Sequence, residues 1–196
     1  AWQQGEEENR IWLKTDLFRA EVNRGTAFLT FYRPDGSICL HECGSTLEGF
    51  DSQRIIVDDQ LVVEKVSTPD GLKPRIVSAN KVFDKRLYRA RVSFTWPEET
   101  CLYGLGQAEN GKLNLRGGER YLHQSNREIA IPLLLSNRGA GVLFSCGSPM
   151  IFRDDGEVSI MAMEGAPQLD YYVLFGGMDE MIAGYRRLTG AAAPLP

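Results

Sequence analysis

The sequence predicts a mainly β protein, an antiparallel β-sandwich with one C-terminal α-helix. Three observations predict this fold. About ten short segments either alternate apolar with polar residues or are rich in β-branched and aromatic residues. Turn-forming Asn, Asp, Gly and Pro residues separate these segments. Apolar residues at helical spacing occur in one place only, so the strand–helix alternation of a parallel α/β fold is missing.

The first part of the chain predicts an antiparallel meander over residues 10–42. Arg10–Val22 alternates apolar and polar residues around a Thr-Asp break, which indicates either two short strands or one bent strand. Thr26–Tyr32 is dense in residues that favour strands. Arg33-Pro34-Asp35-Gly36 is a turn signal, because Pro presets φ and Gly accepts a left-handed conformation. Ser37–Glu42 then returns as the next strand.

The middle of the chain contains the clearest strand. Gly44–Leu61 is polar and gives weak signals, and Leu61–Val66 is a further strand candidate. Leu87–Trp96 alternates strictly, so one face should lie on the core and the other in water. Pro97 ends this strand, because proline cannot donate to a sheet ladder.

The last part of the chain predicts more sheet and then the helix. The apolar stripe of Met178–Thr189 has helical spacing, and Gly190 is a suitable stop. We therefore expect a single β-sandwich domain over residues 1–190 and the start of a linker over 191–196. The remaining strands are expected at Met150–Phe152, Glu157–Met163 and Leu169–Phe175.

Composition narrows the possible partners. The chain has 196 residues, 43% hydrophobic and 24% charged, with a net charge of -4 and no basic block. Binding to nucleic acid is not expected, because it needs clustered Lys and Arg. No apolar run approaches the roughly 20 residues of a membrane-spanning helix. The acidic N-terminus has no signal-peptide core, so the protein is expected either in the cytoplasm or outside it after removal of a signal.

Metal, cofactor and catalytic motifs are weak. Cys39, His41 and Cys43 alternate along a predicted strand and should share one face, but no CxxC spacing or second Cys/His pair supports a metal site. Gly104-Leu105-Gly106 is not followed by the third glycine of a dinucleotide fingerprint. Asp154-Asp155 is expected to be a turn, and His123 a solvated loop residue near Glu119 and Glu128. We expect no metal, no cofactor and no catalytic residue in this chain.

The central stretch, residues 101–145, is a long polar segment between apolar strands, where β proteins usually carry function. Its ordered motifs resemble the N-terminal, galactose-mutarotase-like β-sandwich of glycoside hydrolase family 31, which contains retaining α-glucosidases and α-xylosidases. The matching segments within this stretch are Leu102-Tyr103-Gly104-Leu105-Gly106-Gln107, Asn114-Leu115-Arg116-Gly117, Gln124-Ser125-Asn126, Ile129-Ala130-Ile131-Pro132-Leu133 and Ser136-Asn137-Arg138-Gly139-Ala140-Gly141-Val142-Leu143-Phe144. Two more lie downstream: Leu169-Asp170-Tyr171-Tyr172-Val173-Leu174-Phe175-Gly176, and Met181 to Pro196, which resembles the helix and linker that lead into the family's catalytic barrel.

The resemblance implies a non-catalytic domain that acts with a (β/α)8 barrel of the same polypeptide. The family's nucleophile and acid/base Asp lie in that barrel, so this chain alone should be inactive. The resemblance also implies that a loop of the sandwich lines the site for an α-linked glucoside or xyloside. A homodimer through the exposed barrel-docking face is also expected. The candidate sugar-lining residues are Asn114, Arg116, Gln124, Asn126 and Arg127.

Two alternatives remain open on the sequence. The chain could be a free-standing carbohydrate-binding or mutarotase-like module, or a purely structural interaction domain. The amide and guanidinium groups of the central stretch fit vicinal sugar hydroxyls, but they are also common in hydrated surface loops.

Overall fold

A computed structural model describes residues 1–69 and 71–191 and shows fifteen strands and one helix within them. The helix α1 spans Met178–Thr189. The strands, in chain order, are β1 (Trp2–Glu7), β2 (Arg10–Thr15), β3 (Arg19–Asn23), β4 (Leu29–Tyr32), β5 (Ile38–Ile55), β6 (Val62–Thr68), β7 (Gly71–Ser78), β8 (Lys81–Thr95), β9 (Leu102–Gly104), β10 (Glu119–Leu122), β11 (Leu133–Ser136), β12 (Ala140–Phe144), β13 (Met150–Asp154), β14 (Val158–Ala166) and β15 (Tyr171–Phe175).

The strands form two packed antiparallel sheets and a separate hairpin. The larger sheet has nine strands in the order β1-β2-β3-β4-β5-β8-β14-β13-β10, and the smaller has four in the order β15-β12-β11-β9. Strands β6 and β7 pair only with each other, and every residue of β7 is exposed. The predicted antiparallel β-sandwich with one C-terminal helix is therefore confirmed.

The core lies between the two sheets. Phe94 of β8 is buried, and its ring centroid lies 6.3 Å from that of Phe144 in β12 and 5.5 Å from that of Tyr171 in β15. Ala90 and Val92 of the same strand are also buried. The alternation of Leu87–Trp96 thus identified the core-facing side of β8 correctly.

Helix α1 has the predicted bounds and packs on the outer face of the smaller sheet. Met181 is buried against a cluster that includes Leu133 and Leu143. Acidic residues occupy the first turn and basic residues the last, which suits the helix dipole. Met178 and Ile182 keep 36% and 43% of their surface exposed, so the apolar stripe is only partly used within this chain.

The weak signals of the N-terminal half concealed strand β1, strand β7 and the second half of β5. Strand β5 continues through Ile55, although Gly44–Leu61 gave no strand pattern, because its second half pairs with the first part of β8, from Ala90 back to Lys81. Strand β1, at Trp2–Glu7, was not predicted either, and it forms a hairpin with β2. Pairing in the folded sheet here overrides the weak local preference of a polar sequence.

Strand β5 also contains two pairing irregularities that affect the Cys39, His41 and Cys43 pattern. The register shifts opposite Tyr32 and again between Glu42 and Gly44. These shifts interrupt the regular alternation of side chains that was expected to place Cys39, His41 and Cys43 on one face. Cys39 is buried, whereas His41 and Cys43 are half-buried.

Two further predictions concern membrane spans and the C-terminal linker. Among the described residues, no helix is both long and apolar enough to cross a membrane. The expected linker falls on residues 191–196, and residues 192–196 lie outside the described part of the chain.

Candidate functional site

The polar loop is the segment between β9 and β11, interrupted by the short strand β10. Two glycines bring its two ends together. Gly104 has a φ of +99°, and a Cβ there would lie 2.3 Å from the carbonyl oxygen of Leu133. Gly106 has a φ of +86°, and a Cβ there would lie 1.8 Å from the carbonyl oxygen of Ile129. The backbone N–H of Gln107 donates to that same Ile129 oxygen at 2.8 Å. Only glycine allows the two ends of the loop to approach so closely.

A buried arginine supports the loop from the larger sheet, and the sequence did not single it out. Arg120 of β10 is 9% exposed and has no ion pair with any described residue. Its Nη1 lies 3.5 Å from the carbonyl oxygen of Gly104 and 3.4 Å from that of Gly106. The clue in the sequence is that Arg120 lies two residues before Leu122, a core residue, so both side chains lie on the inward face of the strand.

Asn114 and Arg116 are held within the fold at the base of the loop. The Oδ1 atom of Asn114 accepts the backbone N–H of Leu102 at 3.0 Å and that of Arg116 at 3.2 Å. The guanidinium of Arg116 binds the Oδ2 atom of Asp154 at 2.8 Å and also donates to the carbonyl oxygen of Gly156. These contacts engage groups that the sequence had suggested for sugar binding.

Asp154 and Asp155 have different roles despite being neighbours. The Asp154 carboxylate is buried and, besides Arg116, accepts the N–H of Gly117 at 2.7 Å and the hydroxyl of Ser159 at 2.5 Å. Asp155 is exposed and forms the expected turn. The backbone N–H groups of Val158 and Glu157 hold the pKa of Asp155 below its usual value.

Gln124 braces the turn at the tip of the loop. Its Nε2 donates to the carbonyl oxygen of Glu128 at 3.2 Å, and its Oε1 accepts the N–H of Ala130 at 3.3 Å. Ser125 and Glu128 form an isolated β-bridge across the turn. Both ends of the Gln124 amide are therefore used to shape residues 125–128.

Asn126 and Arg127 present exposed polar groups at that tip. Arg127 has a φ of +70°, and its side chain is 77% exposed, with Nη1 3.7 Å from the Oε2 atom of Glu109. Asn126 is exposed, and its side-chain amide makes no hydrogen bond to the described residues. His123 lies nearby with its ring stacked on Tyr121 at 5.5 Å. The fold thus separates the five candidates into a base (Asn114 and Arg116) and a tip (Gln124, Asn126 and Arg127).

Solved structures with the same fold occur among enzymes of glycoside hydrolase family 31. An α-xylosidase of glycoside hydrolase family 31 from a soil metagenome, solved with xylose, matches 100% of this chain and 28% of its own length, with a TM-score of 0.71 and 23% identity. A dextranase of the same family from Flavobacterium johnsoniae matches 94% of this chain and 20% of its own length, with a TM-score of 0.64 and 17% identity. The chain has the β-sandwich fold of domains found in these sugar-processing enzymes.

A sequence relationship joins the chain to the same group. An α-xylosidase from Saccharolobus solfataricus is 31% identical over 171 residues, which is 78% of this chain and 23% of that protein. No protein-family model matches the chain. The sequence relationship and the shared fold thus relate the chain to enzymes of glycoside hydrolase family 31, and the chain spans about a quarter of its curated relative.

Proposed function

We propose that this chain is the N-terminal, non-catalytic domain of a retaining α-glycosidase that hydrolyses terminal α-glucosyl or α-xylosyl residues. Its role is to support a catalytic (β/α)8 barrel and to extend the polar loop toward the sugar site. The observation that carries the proposal is the 31% identity to an α-xylosidase of which this chain covers only 23%.

The state of the buried carboxylates supports a non-catalytic role. A retaining glycosidase needs two carboxyl groups roughly 5 Å apart across the scissile bond. The three buried carboxylates of the described residues instead lie on different strands, each with its own partner. The pairs are Glu21 with Arg19 at 2.6 Å, Glu42 with Tyr171 at 2.8 Å and Asp154 with Arg116 at 2.8 Å.

The tip of the loop is the part best suited to touch a sugar. Amide and guanidinium groups match vicinal hydroxyls, and Asn126 and Arg127 keep those groups exposed. Gln124 acts indirectly, because its amide is used to hold the turn. Asn114 and Arg116 position the base of the loop.

The test uses the full polypeptide that contains this chain, assayed on aryl α-xylosides and α-glucosides. We expect Asn126→Ala and Arg127→Ala each to raise KM about 3- to 30-fold, the effect of losing about one hydrogen bond to substrate. The matched control is Arg54→Ala, an exposed arginine on β5, which should leave KM unchanged.

Two results would contradict the proposal. A full polypeptide with no α-glycosidase activity on either substrate class would remove the assigned reaction. Equal kinetic constants for wild type, Asn126→Ala and Arg127→Ala would exclude a contact between the tip and the substrate, without contradicting the assigned reaction.

A further inference from the structure

The smaller sheet ends at a strand whose outer edge is unpaired. In the described residues, β15 pairs with β12 alone, so β15 is an edge strand of a four-stranded sheet that lies against a nine-stranded one. An open edge presents unpaired N–H and C=O groups and is a template for another strand.

The pairing fixes which backbone groups of β15 face outward. The N–H of Ser145 donates to the carbonyl oxygen of Asp170 at 2.9 Å, and the N–H of Gly176 donates to that of Gly139 at 3.2 Å. Hydrogen-bonded and non-hydrogen-bonded pairs alternate between these two points. Tyr172 and Leu174 therefore bond to β12, and the N–H groups that point to the open edge are those of Tyr171, Val173 and Phe175.

An apolar face of the larger sheet continues beyond that edge. Leu13, Ala20 and Phe31 lie directly opposite one another across β2, β3 and β4, so they share one face, and Phe31 is buried in the core. Ile11 shares this face with Leu13, and these two side chains keep 41% and 37% of their surface exposed. The part of this face nearest the core is therefore covered, and its outer part, at Ile11 and Leu13, is apolar and partly exposed among the described residues.

A groove joins the open edge to this apolar face. It has a volume of about 550 Å³ and is lined by residues that include Leu29, Phe31 and Leu169. The Phe18 ring stacks on Phe175 of β15, with centroids 4.2 Å apart. The groove therefore offers backbone partners on one side and apolar contacts beneath.

We propose that one further β-strand occupies this groove and that it comes from the same gene product, outside these 196 residues. It would bond to the outward groups of β15 and lay alternate apolar side chains on β2–β4. The curated relative is matched over 23% of its length, which leaves ample polypeptide to supply the strand. This inference rests on the domain being part of a larger protein, as proposed above, and not on its sugar specificity.

A second copy of this chain is a poorer occupant. Two antiparallel β15 strands would be related by a two-fold axis perpendicular to the sheet. In such a pair the two larger sheets would lie in one common layer. Each larger sheet extends past the β15 edge, so strands β2–β4 of the two copies would have to fill the same space. A single strand meets no such obstacle.

Amide hydrogen exchange on the full polypeptide and on the 196-residue chain tests the proposal. We expect Val173 and Phe175 to exchange about 100-fold more slowly in the full polypeptide, since a new hydrogen bond protects them. Tyr172 and Leu174, already bonded to β12, should be protected in both and serve as internal controls. The readout does not depend on glycosidase activity, so it can fail or succeed separately from the proposed function.

Two proline variants in the full polypeptide keep the test valid even if the shorter chain does not fold. Proline is tolerated on an edge strand where the N–H faces solvent and is costly where it removes a ladder bond. We expect Val173→Pro to lower Tm as much as Tyr172→Pro, by on the order of 5 °C or more. A Val173→Pro variant as stable as wild type would overturn the proposal. Unprotected Val173 in the full polypeptide, or protection that appears in the short chain only at high concentration, would also overturn it.

Discussion

The hydrogen bond between Tyr171 and Glu42 ties the two sheets together at a single pair of side chains. The Tyr171 hydroxyl donates to the Oε2 atom of Glu42 at 2.8 Å, and Glu42 is 5% exposed. Tyr171→Phe removes the donor and leaves a buried carboxylate unpaired, so we expect the free energy of unfolding to fall by about 1–3 kcal/mol. Chemical denaturation measures the change. Tyr172→Phe, on an exposed side chain of the same strand, is the control and should be nearly neutral.

The same pair predicts a loss of stability at high pH. Burial, and then the bond to Glu42, raise the pKa of Tyr171 well above its usual value. A raised pKa in the folded state gives stability that is complete below the unfolded pKa of about 10 and declines as the pH rises above it. Unfolding free energies measured from pH 8 to 11 should therefore fall more steeply for wild type than for Tyr171→Phe. Parallel curves would contradict this assignment.

Arg116 and Arg127 should respond differently to truncation, although both are loop arginines. Arg116→Ala leaves the buried Asp154 carboxylate without its cation, and breaking such a pair costs about 3–5 kcal/mol of unfolding free energy. Arg127→Ala removes an exposed side chain and should change that free energy by less than about 0.5 kcal/mol. Thermal and denaturant unfolding of the two variants measure the difference, and similar values would refute the division into base and tip.

These residues show what the sequence could and could not predict about the site. The residue types of the loop correctly marked it as rich in amides and guanidinium groups. Their individual contacts were not predictable, because Asp154-Asp155-Gly156 has the composition of an ordinary turn. Only the folded structure brings Asp154 from β13 to Arg116, 38 positions away in the sequence. Arg120 was missed for a similar reason, since a lone cation in a short polar strand resembles a surface residue.

At the level of elements, Gly104 and Gly106 are positions where a larger residue meets the backbone of a neighbouring segment. Gly106→Ala combines a left-handed φ with a Cβ 1.8 Å from a backbone oxygen, so the loop must shift or open. We expect a loss of more than about 2 kcal/mol in unfolding free energy, together with faster exchange of the Gln107 amide. Gly111→Ala is the matched control, because Gly111 also has a positive φ but open space around it. Its cost should stay near 1 kcal/mol, and an equal cost for the two variants would show that the close approach is unimportant.

Elements with a strong local pattern were predictable, and elements held by distant pairing were not. Helix α1 and strand β8 carry their burial pattern in the sequence, as the stripe of α1 and the alternation of β8 show. The second half of β5 has no such pattern, because it pairs with β8 where much of the hairpin is exposed. Its strand character depends on the partner rather than on its own residues.

At the scale of the whole molecule, the described residues leave apolar surface uncovered in several places, and two of these adjoin the smaller sheet. One is the groove beside β15, and the other is the outer side of α1, where Met178 and Ile182 lie one turn apart and are partly exposed. A domain that spans about a quarter of its curated relative is expected to have such surfaces where the rest of the protein packs. We propose that the outer side of α1 contributes to the face that meets the catalytic barrel.

The uncovered side of α1 leads to a prediction about the isolated chain. When a docking surface is bare, two copies can bury it against each other, so we expect the 196-residue chain to form a reversible dimer. Ile182→Glu should weaken that dimer by about tenfold or more, because burying an unpaired carboxylate is costly. Sedimentation velocity over a range of concentrations gives the dissociation constants. Val57→Glu is the control, since Val57 is 84% exposed and lies between β5 and β6, away from the helix. Equal weakening by both variants, or a wild-type chain that stays monomeric at high concentration, would exclude α1 as the self-associating face.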